Sequence, residues 1–300
     1  MLELLKECRL CPRECGVNRL AGQKGRCGAV GEKVKVARAA LHYWEEPCIS
    51  GSRGSGAVFF SYCPLGCVYC QNREISRGDA GKEIPVSQLA EIFLELQGKQ
   101  AHNINLVTPT HYVPQIVLAL REAKEKGLSI PVVFNCGGYE KPETLKLLEG
   151  LVDVWLPDFK YVSTEHAAKY SGAADYLENA KAALSEMVRQ AGKPVFDIHG
   201  IMTRGVIVRH LVLPGMSKES KKILRYLHRT YGDRIYLSIM SQFTPLENVK
   251  DYPEIDRTVT ESEYENLLDF AMNIGIENAY IQEGGTADES FIPPFDCEGV

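Results

Sequence analysis

Cys63, Cys67 and Cys70 fall within eight residues, in Ser61-Tyr62-Cys63-Pro64-Leu65-Gly66-Cys67-Val68-Tyr69-Cys70-Gln71-Asn72. Three residues separate the first pair and two the second, so all three sulfurs can face one small volume. Such a loop can hold three corners of a cubane. A [4Fe-4S] cluster normally takes one cysteine per iron, so a three-cysteine loop leaves one iron with an open position where chemistry can happen. Half of a zinc site, or three unrelated thiols buried as small hydrophobes, are the plainer readings of the same spacing.

A second set stands upstream, Cys8-x2-Cys11-x3-Cys15 followed after eleven residues by Cys27. Glycines at 16, 22, 25 and 28 permit the tight positive-φ turns that fold thiolates around a metal. Four cysteines make a closed site, which suits structural zinc and a second iron-sulfur cluster equally. Four free thiols are the remaining reading.

The elements that must position these residues alternate in type. Val58-Phe59-Phe60 runs into the cysteine loop as an apolar strand, and Leu89, Ile92, Phe93 and Leu96 mark a helix face. Strands follow at 104–107, 132–134, 152–156, 206–208 and 235–239. Between them lie helices from Val113 to Gly127, from Pro142 to near Gly150, over 175–191 and over 218–230. Thr260 with Glu263 forms a capping box for a last helix ending at Gly275. Before this series, 34–39 alternates as a half-buried strand that docks the first cysteine module. The fold class is α/β. About six βα units give a parallel sheet with right-handed crossovers, fewer than a closed (β/α)8 barrel needs, and active groups would gather at the strands' C-terminal ends.

Three hundred residues suffice for one domain of barrel size with a small appendage, here 1–56 and 57–300, and 45% hydrophobic with 24% charged residues is a globular composition. Apolar runs stay far short of the ~20 residues that span a bilayer. Met1 to Glu7 is too short and too charged for a signal peptide. Ten cysteines, mostly in two sets, read as metal ligands in a reducing cytoplasm rather than as disulfides. A net charge of -5 argues against general nucleic-acid binding, although residues 1–40 carry nine Lys/Arg against four Asp/Glu. That basic module could grip an acidic partner or RNA, or simply be a solvated surface.

The loop C-x3-C-x2-C, with Tyr69 directly before its last cysteine, resembles the cluster loop of radical S-adenosylmethionine (SAM) enzymes. Cys70-Gln71-Asn72 and its flanks are similar to the activating enzymes for pyruvate formate-lyase and their uncharacterised relatives, and the resemblance covers nearly the whole chain. It implies an open six-stranded (βα)6 partial TIM-type barrel. It also implies a [4Fe-4S] cluster on Cys63, Cys67 and Cys70 that cleaves SAM reductively to a hydrogen-abstracting 5'-deoxyadenosyl radical, with an electron donor such as flavodoxin or ferredoxin. Thr108-Pro109-Thr110-His111 stands where much of the superfamily carries a Gly-Gly-Glu segment for the SAM amino group, so Thr108, Thr110 and His111 become the candidates there. Asn135 follows the third strand. Asp158-x-Lys160 resembles the pair that contacts SAM, with a rim ion pair as the plainer reading, and Arg209 resembles the arginine that meets the SAM carboxylate. Glu45 and Glu46 read as acid/base groups or, more plainly, as a surface turn before Pro47; His199 and His210 read as switches or donors or, more plainly, as satisfied core residues, and Cys136 has no assigned role. The expected substrate is a glycyl-radical enzyme. A small molecule or peptide is the alternative, and a non-enzymatic metal-binding interaction module is the reading from another class.

Overall fold

The computed structural model describes residues 1–282 and 293–300. One twisted sheet runs through it, built from β1 (Val34–His42), β2 (Ser55–Phe60), β3 (Lys82–Ile84), β4 (Ile104–Val107), β5 (Val132–Cys136), β6 (Val154–Pro157), β7 (Val195–Phe196), β8 (Met202–Leu211), β9 (Tyr236–Met240) and β10 (Ala279–Ile281). The order across it is β10-β9-β8-β6-β5-β4-β2-β1-β3, with β7 attached to β8. From β2 to β9 this order contains six parallel strands, the expected partial barrel, and the three-residue β10 adds a short seventh. Among the described residues β3 and β10 each pair on one side only, so the barrel is open.

Nine helices accompany the strands among the described residues: α1 (Pro47–Ser50), α2 (Arg73–Arg77), α3 (Val86–Gly98), α4 (Val113–Glu125), α5 (Pro142–Lys146), α6 (Thr164–Ser171), α7 (Tyr176–Ala191), α8 (Ser217–Tyr231) and α9 (Glu261–Asn273). The α3 face buries Leu89, Ile92, Phe93 and Leu96 as its spacing requires. Helix α4 opens with a proline in its first turn, where a missing N–H costs nothing, and is followed by Gly127 at φ 102°. Thr260 and Glu263 form both bonds of the capping box at α9. None of these helices is long and apolar enough to cross a membrane.

Two features differ from expectation. Strand β1 does more than dock the first cysteine module: it pairs antiparallel with β2 along its length and with β3, and so belongs to the central sheet. Strand β8 spans ten residues instead of three. Its first half carries an exposed Arg204 and a glycine because it runs past the core to meet β7, so apolar alternation does not mark it.

Two segments cover one end of the barrel and the margin of β1. Cys48 and Ile49 of α1 pack against Val133, Val154, Leu156 and Ile207, filling the concave face at the strands' N-terminal end. Residues 293–300 lie along β1, where Cys297 N–H donates to Ala37 O at 2.9 Å and Ala39 N–H to Glu298 O at 2.8 Å. Arg38 on that strand is ion-paired with Asp296 at 2.9 Å and also with Glu298.

Candidate functional site

The three-cysteine loop leaves β2 through Ser61, which is buried and tied to Lys35 O by its N–H (2.8 Å) and to Ala80 O by its hydroxyl (2.7 Å). From the opposite side Arg13 of the first module donates to Pro64 O at 3.0 Å and to Ser171 O at 2.9 Å, and also reaches Gly172 O. Val68 N–H bonds Tyr170 O at 2.8 Å. A loop held this way presents its thiols in fixed order. Ser171 Oγ donates to Cys67 Sγ at 2.9 Å, and the same hydroxyl lies 2.9 Å from Tyr161, which meets Tyr69 at 2.5 Å.

All three thiols line one cavity of about 360 Å³ at the strands' C-terminal ends. Burial first, and the neighbouring thiols second, push Cys63 up to about 12; burial likewise raises Cys70 to about 11. Among the described residues no three His, Cys, Asp or Glu side chains converge as ligands of a single metal ion. A cubane does not ask for that convergence, because each thiolate serves a different iron, so an all-sulfur donor set facing a cavity fits a [4Fe-4S] cluster.

Asp158, Lys160, Asn135, Tyr69 and Thr108 line the same cavity. Lys160 is 2.5 Å from Asp158; burial opposes its charge, but Asp158 and Cys67 more than offset that and hold its pKa well above the ordinary value. Thr108 sits at φ 58°, a conformation that β-branched residues rarely adopt and that tends to be held in place at functional sites.

Three expectations need correction. Thr110 and His111 do not line the cavity. They turn away in a buried 3-10 segment where Thr110 bonds Glu140 at 3.0 Å and His111 Nε2 meets Ser61 O at 2.8 Å, so they support the loop from behind. Burial, and then Arg19, push His111 down to about 3, which leaves it neutral. Glu45 and Glu46 are no surface turn: α1 draws them inward, their side chains are 8% and 4% exposed, and both line the cavity. They clasp Arg209, with Nε–Glu46 Oε1 at 2.7 Å, Nη2–Glu46 Oε2 at 2.6 Å, and a further bond from Nη2 to Glu45. Arg209 therefore lines the cavity already paired, instead of standing free for an incoming carboxylate.

His210 is a satisfied core residue, with Phe159 O at 2.8 Å and Ser220 Oγ at 2.9 Å, whereas His199 lies exposed beside Asp197 outside the cavity. Cys136 is buried at the cavity wall, and its neighbour Glu140 is pushed up to about 7 by burial. A carboxyl that holds its proton longer in the folded than in the unfolded state makes stability fall as pH rises from about 4.5 to 7. Glu140→Gln is expected to flatten that slope and to raise stability at pH 8 by on the order of 2 kcal/mol, read from urea unfolding at pH 5 and 8. An unchanged slope would place the titration elsewhere.

In the first module, Cys8 N–H bonds Val17 O at 2.9 Å, Gly16 N–H bonds Cys8 O at 2.9 Å, and Arg26 N–H points at Cys15 Sγ at 3.3 Å. Burial pushes Cys11 up to about 12, and Cys27, Cys8 and Cys15 are close enough to add to it. The four thiols are therefore neighbours, although no single-ion convergence is present among them.

The open parallel barrel carries its cysteine loop after the first parallel strand and gathers the three thiols with charged strand-end residues at one cavity. The chain belongs to the Radical SAM superfamily, whose family model matches residues 57–227. Membership implies an enzyme that cleaves SAM reductively, with a [4Fe-4S] cluster and SAM as cofactors. An uncharacterised protein of Methanocaldococcus jannaschii is 29% identical over 287 residues, covering 92% of this chain and 78% of that protein. Among solved structures, methylornithine synthase (PylB) matches with a TM-score of 0.51 at 15% identity over 78% of this chain and 66% of that one. Streptococcus suis SuiB bound to precursor peptide SuiA matches with a TM-score of 0.50 at 14% identity over 74% of this chain. The chain spans 46% of SuiB, and at these identities both likenesses are ones of fold.

Proposed function

We propose that the chain acts as an activase-like radical SAM enzyme on a segment of a partner protein, abstracting hydrogen from a glycine Cα. One observation carries this reading: the cavity opens beside exposed apolar side chains, Trp44 at 64% and Ile281 at 55%, that also line it. A mouth of this kind suits an inserted loop, and a protein of similar fold is known with a peptide bound. In this reading Cys63, Cys67 and Cys70 hold the [4Fe-4S] cluster, and Asp158, Lys160, Asn135, Tyr69 and Thr108 hold SAM. Bound there, the two supply one-electron cleavage chemistry that ends in hydrogen abstraction. The chain's own work is to keep the thiols ordered through Ser61 and Arg13, to keep Lys160 protonated beside Asp158, and to exclude water with the walls of Phe59, Val107 and Tyr69. An electron donor such as flavodoxin or ferredoxin completes the turnover.

Reduced enzyme and SAM, incubated with a partner crosslinked to it in native cytoplasm, should give a doublet EPR signal on that partner. Deuterium passing into 5'-deoxyadenosine only from a small metabolite would move the assignment to radical modification of a small molecule, the reading that the charged interior of the cavity favours.

The upstream Cys8, Cys11, Cys15 and Cys27 we assign to a second metal, zinc or iron-sulfur, that draws these neighbouring thiols together and holds the stretch ahead of β1, where Leu5, Leu10 and Ala29 are the buried apolar residues. The Cys8→Ser/Cys11→Ser variant of the full chain should lose metal relative to wild type while keeping the iron of the first loop. Equal metal content in both proteins would remove this second site.

A further inference from the structure

The cavity's charges do not balance. Asp158 is taken by Lys160, and Glu46 by the fork of Arg209, which leaves Glu45 as a surplus carboxylate among the described lining residues. Glu45 shares Arg209 Nη2 with Glu46 and accepts from Asn105 Nδ2 at 2.9 Å and Asn135 Nδ2 at 3.4 Å. A carboxylate offers roughly four lone-pair sites, so one remains. The nearby histidine adds no positive charge, since burial lowers His42 below its ordinary value. A cavity-lining carboxylate that shares its one guanidinium with a second carboxylate and keeps a free lone-pair site calls for a cationic N–H group.

The walls suit the same ligand. Trp44, Phe59 and Tyr280 line the cavity, Phe59 meeting His42 edge-on at 5.8 Å, and aromatic faces attract cations most strongly where water is excluded. We infer that Glu45 receives a positively charged group of the substrate, an alkylammonium or guanidinium, between its carboxylate and these aromatic walls. This rests on reading the cavity as the reaction site and names the class of substrate side chain that enters it. Asp158 lies with Lys160 beside Cys67 and Cys70 at the cluster end, whereas Glu45 meets Arg209, Asn105 and Asn135. The cation at Glu45 is assigned to the substrate, and calorimetric SAM affinity separates it from a group of SAM.

The test uses the full chain, anaerobic, with its cluster reconstituted and SAM saturating, titrated with n-butylammonium and with its neutral isostere n-butanol. Tryptophan emission reports the site, since Trp44 lines the cavity and Trp155 is buried in the core. Half-saturation by the ammonium should come at least tenfold below that of the alcohol, and Glu45→Gln should abolish the preference while calorimetric SAM affinity stays within twofold. Equal response to the two compounds, a preference that survives Glu45→Gln, or a Glu45→Gln loss that falls on SAM instead would each overturn the inference. If Glu45→Gln does not fold, the wild-type contrast decides alone. Loss of SAM cleavage in the wild-type protein would count against the enzymatic reading without altering the ammonium preference, so the two failures are distinguishable.

Discussion

Arg209→Ala is expected to lower the stability of the fold by about 3–5 kcal/mol at pH 7, the usual result of stripping the counter-charge from buried carboxylates. Glu45 and Glu46 are each more than nine-tenths buried, and both lean on this one guanidinium. Burial alone would push Glu46 up; Arg209 overcomes it and holds the carboxyl below its ordinary range. In the wild type that lowered value makes the contribution complete above the unfolded carboxylate range, and it is lost only as pH falls through the folded value. In the variant the sign reverses. The stranded carboxyls rise above the unfolded value, so the penalty is greatest at neutral pH and shrinks on acidification. Urea unfolding at pH 5 and 7 reads both effects, and adding Glu45→Gln and Glu46→Gln to Arg209→Ala should recover most of the loss. A variant as stable as wild type at pH 7 would mean that the clasp is not what fixes the loop before α1.

The second large effect concerns the cysteine loop. Changing Cys63, Cys67 and Cys70 together to alanine should remove about four irons from the anaerobically reconstituted protein, along with the low-temperature EPR signal of the reduced cluster and all SAM cleavage. The fold should survive, because the loop is anchored by the Arg13 guanidinium on Pro64 O, by the backbone and hydroxyl bonds of Ser61, and by the buried Leu65, none of which uses a thiol. Iron and signal persisting in this variant would assign the cluster to other ligands. Persistence of four irons without SAM cleavage would instead point to the upstream set, Cys8, Cys11, Cys15 and Cys27.

What the sequence made legible follows from the range over which each signal acts. The cysteine spacing, the α3 face and the α9 capping box are local patterns of a few residues, and each appears in the structure where its chemistry requires. Asp158 and Lys160, just past the end of β6, were legible because alternate residues on an extended segment share a face. Glu45 and Glu46 were not, since nothing near them in the chain says that α1 turns into the barrel; that depends on Val133, Val154 and Ile207, up to about 160 residues away. Thr110 and His111 misled for a similar reason. They occupy the right place in the sequence, but a 3-10 turn after Thr108 rotates them behind the loop. Short elements such as β3, β7 and β10 have two or three residues and no period to detect.

The pairing of residues 293–300 with β1 bears on how the chain is made. Arg38 waits for Asp296 and Glu298 across more than 250 residues of synthesis. Until they emerge, the N–H of Ala39 and the carbonyl of Ala37 stand open beyond the reach of β3, a ready template for another strand. Contacts this remote in sequence are slow to form. The nascent protein thus passes through a period in which its sheet is nearly assembled but one margin is still adhesive, and chaperone demand during translation should be concentrated in that interval.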